Sequence, residues 1–133
     1  MDPLPYVDEH AHALPVGAGP AFDAVAAEAR ALAERRLPRP FVRAWALRPA
    51  SGFAVTELVR PVRVVLRGSH RFSTYELAFV IDETPEGVVV RARTSATFPR
   101  LRGTLYRLLV IGCRGHVLAV RGMLHSIARR AAG

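Results

Sequence analysis

The chain has 133 residues, half of them hydrophobic, and a formal net charge of +8. That length and apolar content suit one folded domain with a genuine core and argue against intrinsic disorder. No apolar run approaches the roughly 18 residues needed to cross a bilayer. The opening MDPLPYVDEH is acidic and proline-bearing, unlike a secretory leader, and Cys113 alone permits no internal disulfide. The expectation is a single cytoplasmic domain over residues 1–133.

Charge is unevenly placed. Lysine is absent, so all 19 basic residues are arginine. The 11 carboxylates all lie at or before Glu86, which leaves residues 87–133 with arginine and no acid. Such asymmetry points to an anionic partner. The lack of Asn and Gln as well equally fits the coding bias of a GC-rich genome.

Taken in chain order, YVDEHAHAL (6–14) alternates with period two and predicts a strand. Gly19 and Pro20 set up a helix start, with Pro20 at the first helical position. In AFDAVAAEARALAERR, Phe22, Val25, Ala26, Ala29, Leu32 and Ala33 recur at helical spacing. LPRP stops that helix, FVRAWAL reads as a short one, and RPASGF is a loop.

From Phe53 the pattern turns to β. FAVTELV, VRVVLRG, RFSTYELAFVID (a strand from Arg71 onward) and GVVVRARTSATF are rich in β-branched and aromatic residues, punctuated by Pro61, Gly68 and the turn ETPEG. GTLYRLLVIG fits more than one element. RGHVLAVRGMLHSIARR is helical, with Val117, Val120, Leu124 and Ile127 on one face and Arg114, Arg121, His125 and Arg129 on another. Consecutive strands joined by short turns make an antiparallel sheet, and the amphipathic last helix must bury its stripe on it. The predicted fold is α+β of helix-grip type, a curved antiparallel sheet wrapped around a long C-terminal helix.

The residues GSHRFSTYELAF, GTLY, HVLAVRGMLHSIARR and YVDEHAHALP together resemble the DUF2867 family of bacterial proteins. The order of elements is similar to the wider START-like (SRPBCC) superfamily, which includes Bet v 1-like and polyketide cyclase-like proteins. The pattern departs from the family where Arg107 follows Tyr106 and GCRG precedes His116. The resemblance implies an apolar cavity for a lipid, polyketide or other small hydrophobic molecule. Some members of that superfamily only carry ligands and others catalyse cyclisation or dehydration.

Alternation along the third predicted strand puts Arg71, Ser73, Tyr75, Leu77, Phe79 and Ile81 on the core side. Ser73 and Tyr75 are then the few polar groups with which an apolar pocket orients a ligand. The competing reading makes Tyr75 a core tyrosine whose hydroxyl finds backbone or water. The predicted lining is Leu77, Phe79, Thr94, Val120 and Leu124, with Ser73, Tyr75, His12 and Tyr106 as polar contacts. His70 reads as part of a turn, either capping a strand or serving as an acid or base.

His10 and His12 share a face of the first strand with Asp8. If that face lines the cavity, Asp8 can orient His10 as a base; otherwise the histidines sit on a partly solvated strand. No motif with metal-ligand spacing appears, so no metal or cofactor is expected. Arg91 and Arg93 fall on the solvent face of their strand, and Cys113 has no base nearby in sequence.

Three functions follow: a hydrophobic-ligand carrier, an enzyme of cyclase or dehydratase type using a His or Tyr in the same cavity, and a basic module for an anionic surface. For the last, LYRLLVIG beside the arginine-striped helix is the peripheral membrane candidate. Nucleic-acid signatures are lacking, because the basic last third holds only Phe98 and Tyr106 as aromatics. Pairing into a homodimer is compatible with the sequence.

Overall fold

The computed structural model describes residues 6–71, 73–97 and 105–132, with side chains described over 8–71, 73–96 and 118–132. Elements follow the order β1 (Tyr6–Leu14), α1 (Ala18–Glu34), α2 (Arg39–Trp45), β2 (Ala54–Val59), β3 (Arg63–His70), β4 (Ser73–Thr84), β5 (Gly87–Thr97) and α3 (Leu105–Ala131). The strands form one antiparallel sheet in the order β1-β5-β4-β3-β2. One face of the sheet carries α1 and α3, which is the helix-grip arrangement expected from the order of elements.

Period-two alternation decides which face that is. On β4, Ser73, Leu77, Phe79 and Ile81 are buried while Thr74 and Asp82 are exposed. Register carries the same face across the sheet, opposing Leu77 to Leu66 on β3 and Thr94 on β5, and Phe79 to Val64 and Ala92. Phe22, Val25, Ala26 and Ala29 of α1 and Val120, Leu124 and Ile127 of α3 complete the core cluster. The opposite face is laced by cross-strand ion pairs: Arg93 to Glu9 at 3.3 Å, Arg67 to Glu76 at 3.3 Å and Arg91 to Asp82 at 2.8 Å. Arg91 and Arg93 therefore lie where the sequence put them.

A buried carboxylate joins the two long helices. Glu28 of α1 is 8% exposed, and its Oε2 accepts from Ser126 Oγ at 2.7 Å and Arg130 Nε at 3.0 Å. Ser126 and Arg130 are one turn apart on α3, so a single carboxylate fixes two points of the facing helix.

Several boundaries differ from the sequence reading. Helix α1 begins at Ala18 with Gly17 as its N-cap, so Pro20 lies inside the first turn instead of opening it. The displacement is harmless there, since N–H groups of the first turn have no intrahelical acceptor. Gly68 is no break between strands. It lies within β3, which runs on through His70 and pairs His70 with Ser73, and β4 starts at Ser73, not Arg71. Glycine is needed at 68 for space: a Cβ would collide with the Gly52 carbonyl oxygen and sit 2.7 Å from Tyr75 Oη. The ETPEG turn is as expected, closing at Thr84 and Gly87, with Gly87 at φ 145°.

Gly68→Ala is expected to cost about 1–3 kcal/mol through overpacking. Gly122→Ala, at an exposed position of α3 where a Cβ meets nothing within 4 Å, is expected to stabilise by about 0.5–1 kcal/mol. Urea midpoints of the two variants check both signs.

Candidate functional site

The covered face of the sheet is apolar except along its β1 side. Register opposes Asp8 to Thr94, His10 to Ala92, His12 to Val90 and Leu14 to Val88. Because Ala92, Val90, Val88 and Thr94 are buried under the helices, Asp8, His10 and His12 look toward the helices and not toward the solvent face. Of the two readings open for that strand, the structure selects the covered one.

Asp8 is doubly held. Its Oδ1 accepts the backbone N–H of Glu9 at 2.9 Å, and its Oδ2 lies 2.6 Å from His10 Nε2. With an ionised Asp8, Nε2 carries the hydrogen and donates it, leaving the Nδ1 lone pair of a neutral ring as the proton acceptor. Two residues along, His12 meets His125 of α3 with ring centroids 5.9 Å apart. Thr94, 5% exposed, lies between Asp8 on β1 and Leu77 on β4. The group is a carboxylate-held imidazole, a second imidazole and a hydroxyl bordering an apolar floor. Chemically it can orient a polar substituent or take up a proton beside a hydrophobic molecule.

The expected lining is distributed unevenly. Leu77, Phe79, Val120 and Leu124 all belong to the continuous core cluster. Ser73 is buried at the far end of β4, its Oγ directed to the Thr74 carbonyl at 3.4 Å. Tyr106 lies within α3, but its side chain is outside the described residues, as are those of Cys113, Arg114, His116, Val117 and the LYRLLVIG segment.

Tyr75 follows the backbone-bonded alternative. Its hydroxyl donates to the Gly52 carbonyl at 2.5 Å, so its proton is committed to the loop before β2. The ring stands between Phe53 (5.4 Å) and His70 (5.8 Å), and His70 in turn meets Trp45 of α2 at 5.9 Å. His70 is therefore no turn residue; it ends β3 inside an aromatic series. Burial pushes the His70 imidazole below the usual histidine range. Burial raises the Tyr75 phenol, opposed by the charge of Arg35, whose Nε donates to the Ser51 carbonyl at 2.5 Å. Arg35, Phe53 and Trp45 escaped the sequence reading because no periodic pattern links α1, α2 and the loop before β2.

An open depression of about 360 Å³ lies at the other end of β4 and β5, lined by Pro15–Ala18 and by Glu83, Thr84, Glu86 and Gly87. It is built from turns and holds none of the groups above. Among the described residues, no three His, Cys, Asp or Glu side chains gather as metal ligands, and no helix is long and apolar enough to cross a membrane.

An open antiparallel sheet of five strands covered by α1 and the C-terminal helix is a fold of helix-grip type. Solved structures share it over nearly the whole chain. Protein CV1439 from Chromobacterium violaceum aligns with 94% of this chain and 96% of its own at 12% identity and a TM-score of 0.57. TTHA0849 from Thermus thermophilus aligns over 96% and 97% at 13% identity and a TM-score of 0.53. The di-domain ARO/CYC StfQ from the steffimycin biosynthetic pathway aligns with 93% of this chain and 48% of its own, at 16% identity and a TM-score of 0.52. No protein-family model and no curated protein matches the sequence.

The lowered His70 has a consequence for stability. The unfolded chain takes up this proton first, so the contribution of His70 is full above the ordinary value near 6.5 and is lost as pH falls through the lowered folded value. The melting temperature is expected to fall on acidification from about pH 7.5 to about pH 5, and His70→Gln to flatten that fall. Paired thermal melts across this range check it.

Proposed function

We propose that the domain binds a small hydrophobic molecule, a lipid, polyketide or similar compound, between the sheet and α3. The observation that carries this reading is the Asp8–His10 pair on the covered, apolar face of the sheet rather than on the solvent face. A half-buried polar pair beside an apolar floor is the composition by which a ligand pocket gains both affinity and orientation. In this reading Leu77, Phe79, Val120 and Leu124 form the floor, Thr94, Ser73 and His12 supply polar contacts, and Tyr75 serves as a wall. Tyr106 is a further contact carried by α3. Similarity of fold to StfQ, an ARO/CYC protein of a biosynthetic pathway, supports an aromatic or polyketide-like ligand. The narrower DUF2867 assignment is part of this proposal and rests on GSHRFSTYELAF and the C-terminal segment.

A second reading is favoured by one feature, the fixed tautomer that Asp8 imposes on His10. An imidazole so held beside an apolar surface suits proton abstraction from a carbonyl compound, as cyclisation or dehydration requires. Binding and catalysis then share one site and differ in whether His10 Nδ1 reaches an acidic C–H of the bound molecule.

Native mass spectrometry of the purified protein, followed by solvent extraction, is expected to reveal a co-purified apolar molecule. Thr94→Phe is expected to remove it without loss of the folded far-ultraviolet spectrum. A bare chain that also fails to take up an apolar fluorescent dye overturns the binding reading. For the enzymatic reading, conversion of the extracted molecule or its precursor is expected to fall by roughly 100-fold or more in His10→Gln, with binding retained. Equal turnover in that variant rejects it.

A further inference from the structure

The segment from Arg35 to Thr56 contains five arginines and no carboxylate, and α2 lies at its centre. None of the seven residues of α2 is buried. Phe41 and Trp45, one turn apart on one side, are 46% and 43% exposed and lie ring to ring at 6.3 Å. The 3.6-residue period puts Arg39 and Arg43 on the opposite side, both exposed. Elsewhere Arg60, Arg63, Arg91, Arg93 and Arg130 each meet a carboxylate, whereas Arg30, Arg71, Arg121 and Arg129, with no carboxylate partner among the described residues, are scattered over the rest of the chain. Among the described residues, no carboxylate pairs with Arg36, Arg39, Arg43 or Arg48.

We propose that α2 is a docking surface for an anionic phospholipid membrane, with Phe41 and Trp45 entering the headgroup–acyl boundary and the surrounding arginines held at the headgroups. An aromatic side and an arginine side on one short exposed helix is the composition of an interfacial helix. Unneutralised arginines supply attraction to anionic lipid that ion-paired ones do not. The surface is also firmly mounted. Backbone bonds join Arg71 N to the Trp45 carbonyl (2.7 Å) and Arg48 to Ser69 in both directions (2.9 Å each). Arg71 also donates to the Ala44 and Arg43 carbonyls at the end of α2. Nucleic acid fits less well, because the two rings pack against each other at a 47° tilt instead of standing apart as platforms for bases.

The site deepens the reading above, on which it rests only for its purpose. From Trp45 the ring contacts continue to His70 and Tyr75, and Tyr75 shares the covered face with Leu77. Docking through α2 brings this end of the sheet to the bilayer, from which an apolar ligand could be drawn.

Trp45 is the chain's one tryptophan, so its fluorescence reports this surface alone. Vesicles of phosphatidylcholine with phosphatidylserine are expected to blue-shift its emission, brominated acyl chains to quench it, and pure phosphatidylcholine to do neither. Added salt is expected to weaken the effect. Arg39→Gln with Arg43→Gln is expected to weaken vesicle binding roughly 20-fold, about fivefold per charge near the surface. Phe41→Ser is expected to reduce bromolipid quenching. Equal binding to neutral vesicles, binding without quenching, or the same emission change with single-stranded nucleic acid but not with vesicles would overturn the proposal. Thr94→Phe separates the two readings: vesicle binding persists in it if α2 docks independently, whatever becomes of the extracted molecule.

Discussion

Everything in this domain follows from the one-sidedness of its sheet. Alternation over β3, β4 and β5 leaves Val65 and Ala78 as the only buried apolar residues described on one face and sends Val64, Leu66, Leu77, Phe79, Val90 and Ala92 to the other. Each large side chain removed from water contributes about 1.5–3 kcal/mol, so that face must be covered. α1 and α3 supply the cover, and their own apolar stripes have no other partner. β1 breaks the rule. It spends three inward positions on Asp8, His10 and His12, where apolar side chains would have deepened the core. The departure is tolerable because β1 is an edge strand, its inward groups are half-buried, and Asp8 and His10 satisfy one another. A strand that gives up apolar burial on its inward side, but not on the neighbouring strands, concentrates polarity in one place beside an otherwise dry surface.

How far the helices stand from that surface depends on their mutual anchoring as much as on the sheet. Glu28 brings a charge into the α1–α3 contact, and such a charge is costly unless its oxygens are paired. Ser126 and Arg130 meet that requirement from one face of α3, which favours one register of the two helices over its neighbours. The cross-strand pairs of the solvent face do less. Exposed ion pairs contribute about 0–1 kcal/mol each, and their part is to hold arginine stems over the strands and to discourage misregistered pairing.

The sequence made the periodic parts of this fold legible and left the local exceptions hidden. β1 was readable to its last residue, and the inner face of β4 was readable because four bulky positions, Tyr75, Leu77, Phe79 and Ile81, agreed on one side. The orientation of His10 and His12 was not, since the two faces of YVDEHAHAL differ by little except Leu14, and the register with β5 settles it. Gly68 carried a misleading signal: a glycine required by close approach of Gly52 and Tyr75 looks the same in sequence as one that ends a strand. The fate of the Tyr75 hydroxyl was equally hidden, because its acceptor lies 23 residues away in the loop before β2. Glu28 was invisible for a similar reason, since a buried carboxylate is recognisable only by partners that come from the opposite end of the chain.

The same loop-borne contacts join the two ends of the functional reading. Tyr75 uses its hydroxyl to hold Gly52 and its ring to meet Phe53 on one side and His70 on the other. Its position thus depends on both the loop after α2 and the hairpin between β3 and β4, and α2 is bonded to that hairpin through Trp45 and Arg48. Burial lowers the proton affinity of the His70 imidazole, so the packing that joins α2 to the covered face also disfavours a charge on the ring between Trp45 and Tyr75.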